Sequence, residues 1–177
     1  MRITGGSLKG RLVAVPPGEI RPSMDRMRES VFACLSDLTA LSFLDIFTGS
    51  GIIALEAASR GASYIEAVEQ DKQKRKILLD NVSISPVRIN CHFVPAELYI
   101  KRAKNKFDII FLDPPFPYQF KWELIEKVAS SVMVTTGTKI LIHRPRQDYL
   151  RTQIANLEKI DSREYGRSVV DFLTVIE

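Results

Sequence analysis

Two cysteines, two histidines and one tryptophan are all that the 177 residues hold of those types. Cys34 and Cys91 form no C-x-x-C pair and share no metal-ligand spacing, which leaves a disulfide framework and a zinc site without support. Both read as reduced core thiols, and no metal is expected. Long apolar runs are missing too: nothing approaches a membrane span, and the opening Met1-Arg2-Ile3-Thr4-Gly5-Gly6 lacks the apolar stretch of a signal peptide. A cytoplasmic protein with no membrane partner is expected. Internal repeats, low-complexity tracts and linkers are also absent. With 45% hydrophobic and 26% charged residues the chain falls among ordinary folded proteins, long enough for one sizeable core and short for two. The expectation is one domain over 1–177, monomeric, with 1–22 as a basic extension.

The net charge of +4 is unevenly spread. Up to residue 28, Arg2, Lys9, Arg11, Arg21, Arg26 and Arg28 stand against only Glu19 and Asp25. One reading is an arm whose six basic side chains face phosphates; the other is a solvated arm that binds nothing. Arg2 to Thr4 and Arg11 to Val15 flank a Gly-rich turn and suggest a small hairpin, which Pro16-Pro17-Gly18 ends. Ser23 is the candidate cap of a helix through about Leu38, with Met27, Val31 and Leu35 on one face.

From Phe43 onward strand and helix signals alternate. Strands are expected at 43–47, 64–68, 88–93, 107–112 and 139–143, with helices at 52–60, 72–82, 96–102 and 120–132. Such alternation implies a parallel sheet covered by helices on both faces. The runs Leu157–Glu164 and Val169–Ile176, separated by Tyr165-Gly166-Arg167-Ser168, read instead as an antiparallel hairpin at the sheet edge.

The first of these strands runs into Asp45-Ile46-Phe47-Thr48-Gly49-Ser50-Gly51 before a helix opens at Ile52. Glycines there allow a tight turn and close approach to a ligand at the carboxyl ends of the strands. Gly49, Gly51 and Ala54 also satisfy the loose dinucleotide pattern, so a nicotinamide oxidoreductase is a rival. Asp45 argues against it: a carboxylate before the loop would repel a pyrophosphate and suit a cationic ligand. Glu69, at the end of the second strand, stands where an acid would accept ribose hydroxyls. Phe47, Gln70 and Ala96 complete the candidate cofactor set. The bland readings are a helix-capping Asp45 and a surface Glu69.

Asp113-Pro114-Pro115-Phe116 follows the apolar strand 107–112 directly. An exocyclic amine on a base is a poor nucleophile because its lone pair is delocalised into the ring. The Asp113 carboxylate and a Pro114 or Pro115 carbonyl would accept its N–H protons and turn the lone pair toward a methyl donor. The prolines stiffen the turn, and Phe116 offers a stacking face, with Tyr118 as a second substrate contact. Phe120 and Trp122 are expected to pack. His92 and His143 read as structural. Lys72, Lys74, Arg75 and Lys76 read as a solvated face, and Arg144, Arg146 and Arg151 as candidate phosphate contacts at the rim.

These segments together, with G-G-S-L-K-G-R and R-P-S-M-D-R-M-R-E near the start and Glu164-Tyr165-Gly166 near the end, resemble the RsmD family over nearly the whole chain. That family comprises bacterial methyltransferases acting on guanine N2 in 16S ribosomal RNA. The resemblance implies a Rossmann-like class I methyltransferase fold with seven strands, S-adenosylmethionine as cofactor, and 30S subunits or their assembly intermediates as the partner. The family's usual Asp after the third strand is replaced here by Pro95, leaving Glu97 or a backbone carbonyl to hold the adenine amine. Same-fold methylation of DNA adenine N6 or of a protein glutamine, and a non-enzymatic ribosome-assembly factor, are the other readings.

Overall fold

The computed structural model describes residues 1–16, 24–149, 151, 154 and 156–177. The candidate cap Ser23, the break at Pro17-Gly18 and Arg21 lie outside the described residues. The elements are α1 (Met24–Leu35), β1 (Ser42–Ile46), α2 (Ile52–Ser59), β2 (Tyr64–Val68), a 3-10 turn (Lys72–Lys74), α3 (Arg75–Val82) and β3 (Ile89–His92). Then come α4 (Ala96–Arg102), β4 (Ile109–Leu112), α5 (Lys121–Ala129), β5 (Lys139–Pro145), β6 (Leu157–Tyr165) and β7 (Ser168–Val175).

Hydrogen bonding orders the strands β3-β2-β1-β4-β5-β7-β6. Strands β1 to β5 are parallel, whereas β7 runs antiparallel to both β5 and β6. This is the expected Rossmann-like sheet with an antiparallel closing pair. The central strands are buried on both faces, so they read as near-continuous apolar runs such as Ile109-Ile110-Phe111-Leu112. Side chains nevertheless alternate between two cores. Phe43, Ile65, Ile109 and Leu141 join Val31, Phe32, Leu55 and Ala58 on one face. Leu44, Ile46, Ile110 and Ile142 join Ile100, Leu124 and Val128 on the other.

Most departures from the expected boundaries are local. Helix α1 stops at Leu35 because Ser36 takes a left-handed conformation (φ 63°). The helix expected from residue 72 begins as a 3-10 turn, with the Asp71 carboxylate accepting from Gln73 N at 2.9 Å. The closing hairpin turns on Gly166 (φ 62°) and Arg167, and a bulge lies between Lys159 and Asp161. At the start of the chain the expected hairpin reduces to a single antiparallel bridge, Arg2 to Leu12, supported by Ile3 N to Arg11 O (3.0 Å) and Val13 N to Met1 O (2.7 Å).

This arm is anchored because Ile3 and Val13 enter the first core and because α2 receives the backbone between them. Thr4 N donates to Glu56 Oε1 (2.8 Å), Ser7 N to Ser59 O (2.7 Å), and Leu8 N to Ser59 Oγ (2.8 Å). At Gly6 a Cβ would stand 1.8 Å from the Ser59 carbonyl oxygen, so no other residue fits.

Arg28 corrects the reading of the basic arm. Its side chain is fully buried, with Nε donating to Glu56 Oε1 (3.3 Å) and Nη2 to the Arg2 carbonyl (2.8 Å) and Asp25 Oδ1 (2.5 Å). Arg60 pairs with the second Glu56 oxygen. Arg28 is therefore spent inside the protein, whereas Arg2, Lys9, Arg11 and Arg26 are exposed. Removing Glu56 strands a buried guanidinium, so Glu56→Ala should lower unfolding stability by about 3–5 kcal/mol in urea. A variant as stable as the parent would show that Ile3 and Val13 hold the arm without these charges.

Candidate active site

Strand order reverses between β1 and β4, and a cavity of about 300 Å³ opens at the carboxyl ends of these two strands. Asp45, Phe47, Thr48, Gly49 and Ser50 line it from the β1 side, Glu69, Gln70 and Asp71 from the β2 side, and Asp113, Pro114 and Pro115 from the β4 side. Met1, Val15 and Pro16 of the arm form a further wall. Eight of the expected site residues thus share one cavity: Asp45, Phe47, Gly49, Glu69, Gln70, Asp113, Pro114 and Pro115. Gly51, Ala96, Phe116 and Tyr118 are not among its lining residues.

The loop after β1 is built from positive φ angles: Phe47 at 67°, Gly49 at 57° and Gly51 at 82°. Gly51 serves packing. A Cβ there would meet Leu78 Cδ1 at 2.7 Å, so its lack of a side chain lets α3 close on the loop. Ala96 opens α4 within the second core, and Pro95 caps that helix through its carbonyl, which accepts from Tyr99 N at 3.0 Å. Glu97 accepts the Tyr118 hydroxyl through Oε1.

Asp45 is fully buried. Its Oδ2 accepts from the Thr48 hydroxyl and from Ala54 N (3.1 Å), so it does brace the start of α2. Oδ1, however, is buried without a partner among the described residues. Burial pushes its pKa up to about 7, against the lowering effect of the Thr48 hydrogen bond, and the charges of Asp113 and Glu69 add to the rise. Glu69 is only 5% exposed, so the surface reading fails. Its Oε2 accepts from Gly49 N (3.0 Å) and its Oε1 from Asp71 N (2.8 Å), with Lys74 Nζ 3.8 Å away. Four carboxylates around one cavity, Asp45, Glu69, Asp71 and Asp113, outnumber the Lys74 ammonium, and with one orphaned oxygen they form a ligand set that suits a cationic ligand bearing hydroxyls and disfavours a pyrophosphate.

Asp113 is pinned by its own N–H, which donates to Ile46 O at 3.1 Å. His143 Nδ1 lies 2.8 Å from Asp113 Oδ1, and the Phe116 ring stands edge-on to the imidazole with centroids 5.4 Å apart. Beyond the prolines the segment is clamped by Lys121, a buried lysine whose Nζ donates to Phe116 O (2.9 Å) and Tyr118 O (2.6 Å) and pairs with Asp148 Oδ2 (2.9 Å). Arg144 reaches the Asp148 carbonyl and pairs with Asp171. Arg144 is buried and is not a rim cation; Arg146 and Arg151 are half-exposed and ion-paired with Glu164 and Glu126.

Tyr118 stacks edge-on against Phe47 (5.5 Å) and Phe120 (6.1 Å). Phe120 is 61% exposed and does not pack as expected, whereas Trp122 lies against the second core. Sequence reasoning missed His143, Lys121 and Asn81. The Asn81 amide donates to Ser50 O (2.8 Å) and Ala14 O (3.0 Å) and accepts from Ala14 N (3.0 Å), joining the arm to the glycine loop. His92, by contrast, belongs to a structural cluster around Glu66 with Tyr64, Tyr99 and Asn105.

The raised Asp45 pKa fixes a pH dependence. The unfolded carboxyl loses its proton near pH 3.8 and the folded one near pH 7, so the stability held by the protonated form is full below the first value and lost as pH rises through the second. Urea stability of the parent minus that of Asp45→Asn should fall across this window and level off above it. A difference flat with pH would mean that Asp45 ionises as readily folded as unfolded.

Comparison with known proteins gives the family and agrees with the fold. The family described as Conserved hypothetical protein 95 matches residues 1–174. Ribosomal RNA small subunit methyltransferase D of Escherichia coli K12 is 30% identical over 161 residues, covering 88% of this chain and 80% of the relative. The Haemophilus influenzae protein of that name is 29% identical, covering 86% and 82%. A solved Escherichia coli structure superposes with a TM-score of 0.90 at 27% identity, covering 99% of this chain and 98% of its own. Among the described residues no helix is long and apolar enough to cross a membrane. The chain belongs to the Conserved hypothetical protein 95 family and is a methyltransferase with the class I, Rossmann-like fold.

Proposed function

We propose that this protein methylates the N2 amine of a guanine in 16S ribosomal RNA, using S-adenosylmethionine, within a 30S subunit or an assembly intermediate. The observation that carries the reading is one cavity lined by both Asp45 and Glu69 on one side and Asp113, Pro114 and Pro115 on the other. A cation-suited pocket and a pair of amine acceptors stand against each other. The ribosomal RNA named in the relatives' descriptions supports the substrate class.

Bound S-adenosylmethionine supplies an electrophilic methyl group on a sulfonium. Asp45 would face its cationic amino-acid end, and Glu69, which keeps the Gly49 amide in place, would accept ribose hydroxyls. Asp113 and the Pro114 carbonyl accept the two amine protons and so aim the nitrogen lone pair. The rate then comes from positioning rather than from a strong base. Phe116 stacks the extruded base, and Arg2, Lys9, Arg11 and Arg26 contact phosphates as the exposed part of the arm. With Pro95 outside the cavity lining, cofactor affinity rests chiefly on Asp45 and Glu69.

The test is methyl transfer from labelled S-adenosylmethionine to undermethylated 30S subunits, naked 16S RNA, duplex DNA and protein. Label should enter RNA as N2-methylguanine. Asp113→Ala should lose roughly a hundredfold or more in rate while calorimetric cofactor affinity stays near the parent value. Equal loss of both would mean that Asp113 holds cofactor. Label in DNA or protein would replace the RNA reading, and RNA binding with no label on any substrate would favour an assembly factor.

A further inference from the structure

His143 stands outside the cavity lining, yet its ring touches both the carboxylate and the aromatic ring assigned above to the substrate amine and base. This placement follows from register. Strands β4 and β5 are parallel with Leu112 opposite Ile142, so Asp113 leaves β4 beside His143, which is still within β5. The His143 backbone is fixed on its other edge by the antiparallel register with Val170. Its side chain is 2% exposed, while that of Asp113 is 20% exposed and open to the cavity.

An ionised carboxylate can only accept, so the Nδ1 to Asp113 Oδ1 contact of 2.8 Å places the imidazole proton on Nδ1. In the neutral ring Nε2 is then a bare lone pair, and among the described residues it is buried with no partner. Buried polar atoms are nearly always paired, and a histidine kept only to fill the core would gain by using both nitrogens. Here one nitrogen is forfeited, and the ring is also in the tautomer less common in water. The bond to Asp113 is what the position retains. It holds Oδ1, leaves Oδ2 as the oxygen for the substrate amine, and stops the half-open side chain from rotating toward water. The same ring backs Phe116 edge-on, so one residue sets the plane of the acceptor and the seat of the stacking face.

We propose that His143 is a positioning residue for methyl transfer, acting through its Nδ1–H bond to Asp113. This rests on the reading of Asp113 as the amine acceptor. The experiment pairs single-turnover kinetics on RNA with nitrogen NMR of histidine-labelled protein, in which only two rings appear. His143→Leu should lower the transfer rate roughly a hundredfold with cofactor KM unchanged. His143→Asn, whose amide donates from nearly the Nδ1 position, should recover most of that loss, whereas His143→Gln should not. The intact protein should show a neutral ring protonated at Nδ1, and Asp113→Ala should convert it to the Nε2-protonated form.

Parent-like turnover in His143→Leu beside an inactive Asp113→Ala overturns the role of His143 and leaves the acceptor reading standing. Parent-like turnover in both overturns the acceptor reading itself. An Nε2-protonated ring in the intact protein overturns the proposed bond, even if His143→Leu fails to fold.

Discussion

The parallel register of β1 with β4 decides where every proposed functional group can stand. With Ile46 opposite Leu112, Phe47 and Asp113 leave adjacent strands at one level, and the Asp113 amide closes onto the Ile46 carbonyl. The chain must then part in two directions, and the cavity opens between the departing loops. Slipping the pairing by one residue would exchange Phe111 and Leu112 between the two cores and take Asp113 off the level of Phe47. The packing of the two cores that fixes this register is therefore also what aims the chemistry.

That arrangement carries an electrostatic cost. Asp45, Glu69 and Asp113 converge on a small volume, and Asp45 is fully buried there. The fold offsets this with fixed dipoles: the Thr48 hydroxyl and Ala54 amide at Asp45, and the Gly49 and Asp71 amides at Glu69. One Asp45 oxygen is left over. A site held in this half-compensated state favours an occupant that brings positive charge, as preorganised polar cavities do.

Strands such as Ile109–Leu112 and Tyr64–Val68 were legible because burial on both faces writes unbroken apolar runs, and the glycine loop because its residue types have few other uses. What escaped depends on partners far along the chain. Arg28 was counted with the exposed cations because charge composition carries no depth; its partner Glu56 lies 28 residues away on another helix. His143 looked like an isolated strand histidine until β4 and β5 were set in register, and writing Leu112-Asp113 beside Ile142-His143 would have shown the pair. Lys121 sits in a helix whose other charges are solvated, and no local pattern marks it as the clamp on Phe116 and Tyr118. Phe120 is exposed because it stands at the cap position just before α5, outside the helical face that packs on the second core.

The arm around Met1, Val15 and Pro16 is a wall of the cavity, and it is fastened by groups much later in the chain. Thr4 waits for Glu56, 52 residues on, and Ala14 for Asn81, 67 residues on. Contacts of such separation cost loop-closure entropy before they return any energy, and they form slowly. The first sixteen residues therefore have no docking surface until α2 and α3 are already packed on the sheet. In that order of assembly the cavity acquires this wall last, and a chain folded only as far as its parallel strands holds Asp45, Glu69, Asp71 and Asp113 in an open trough.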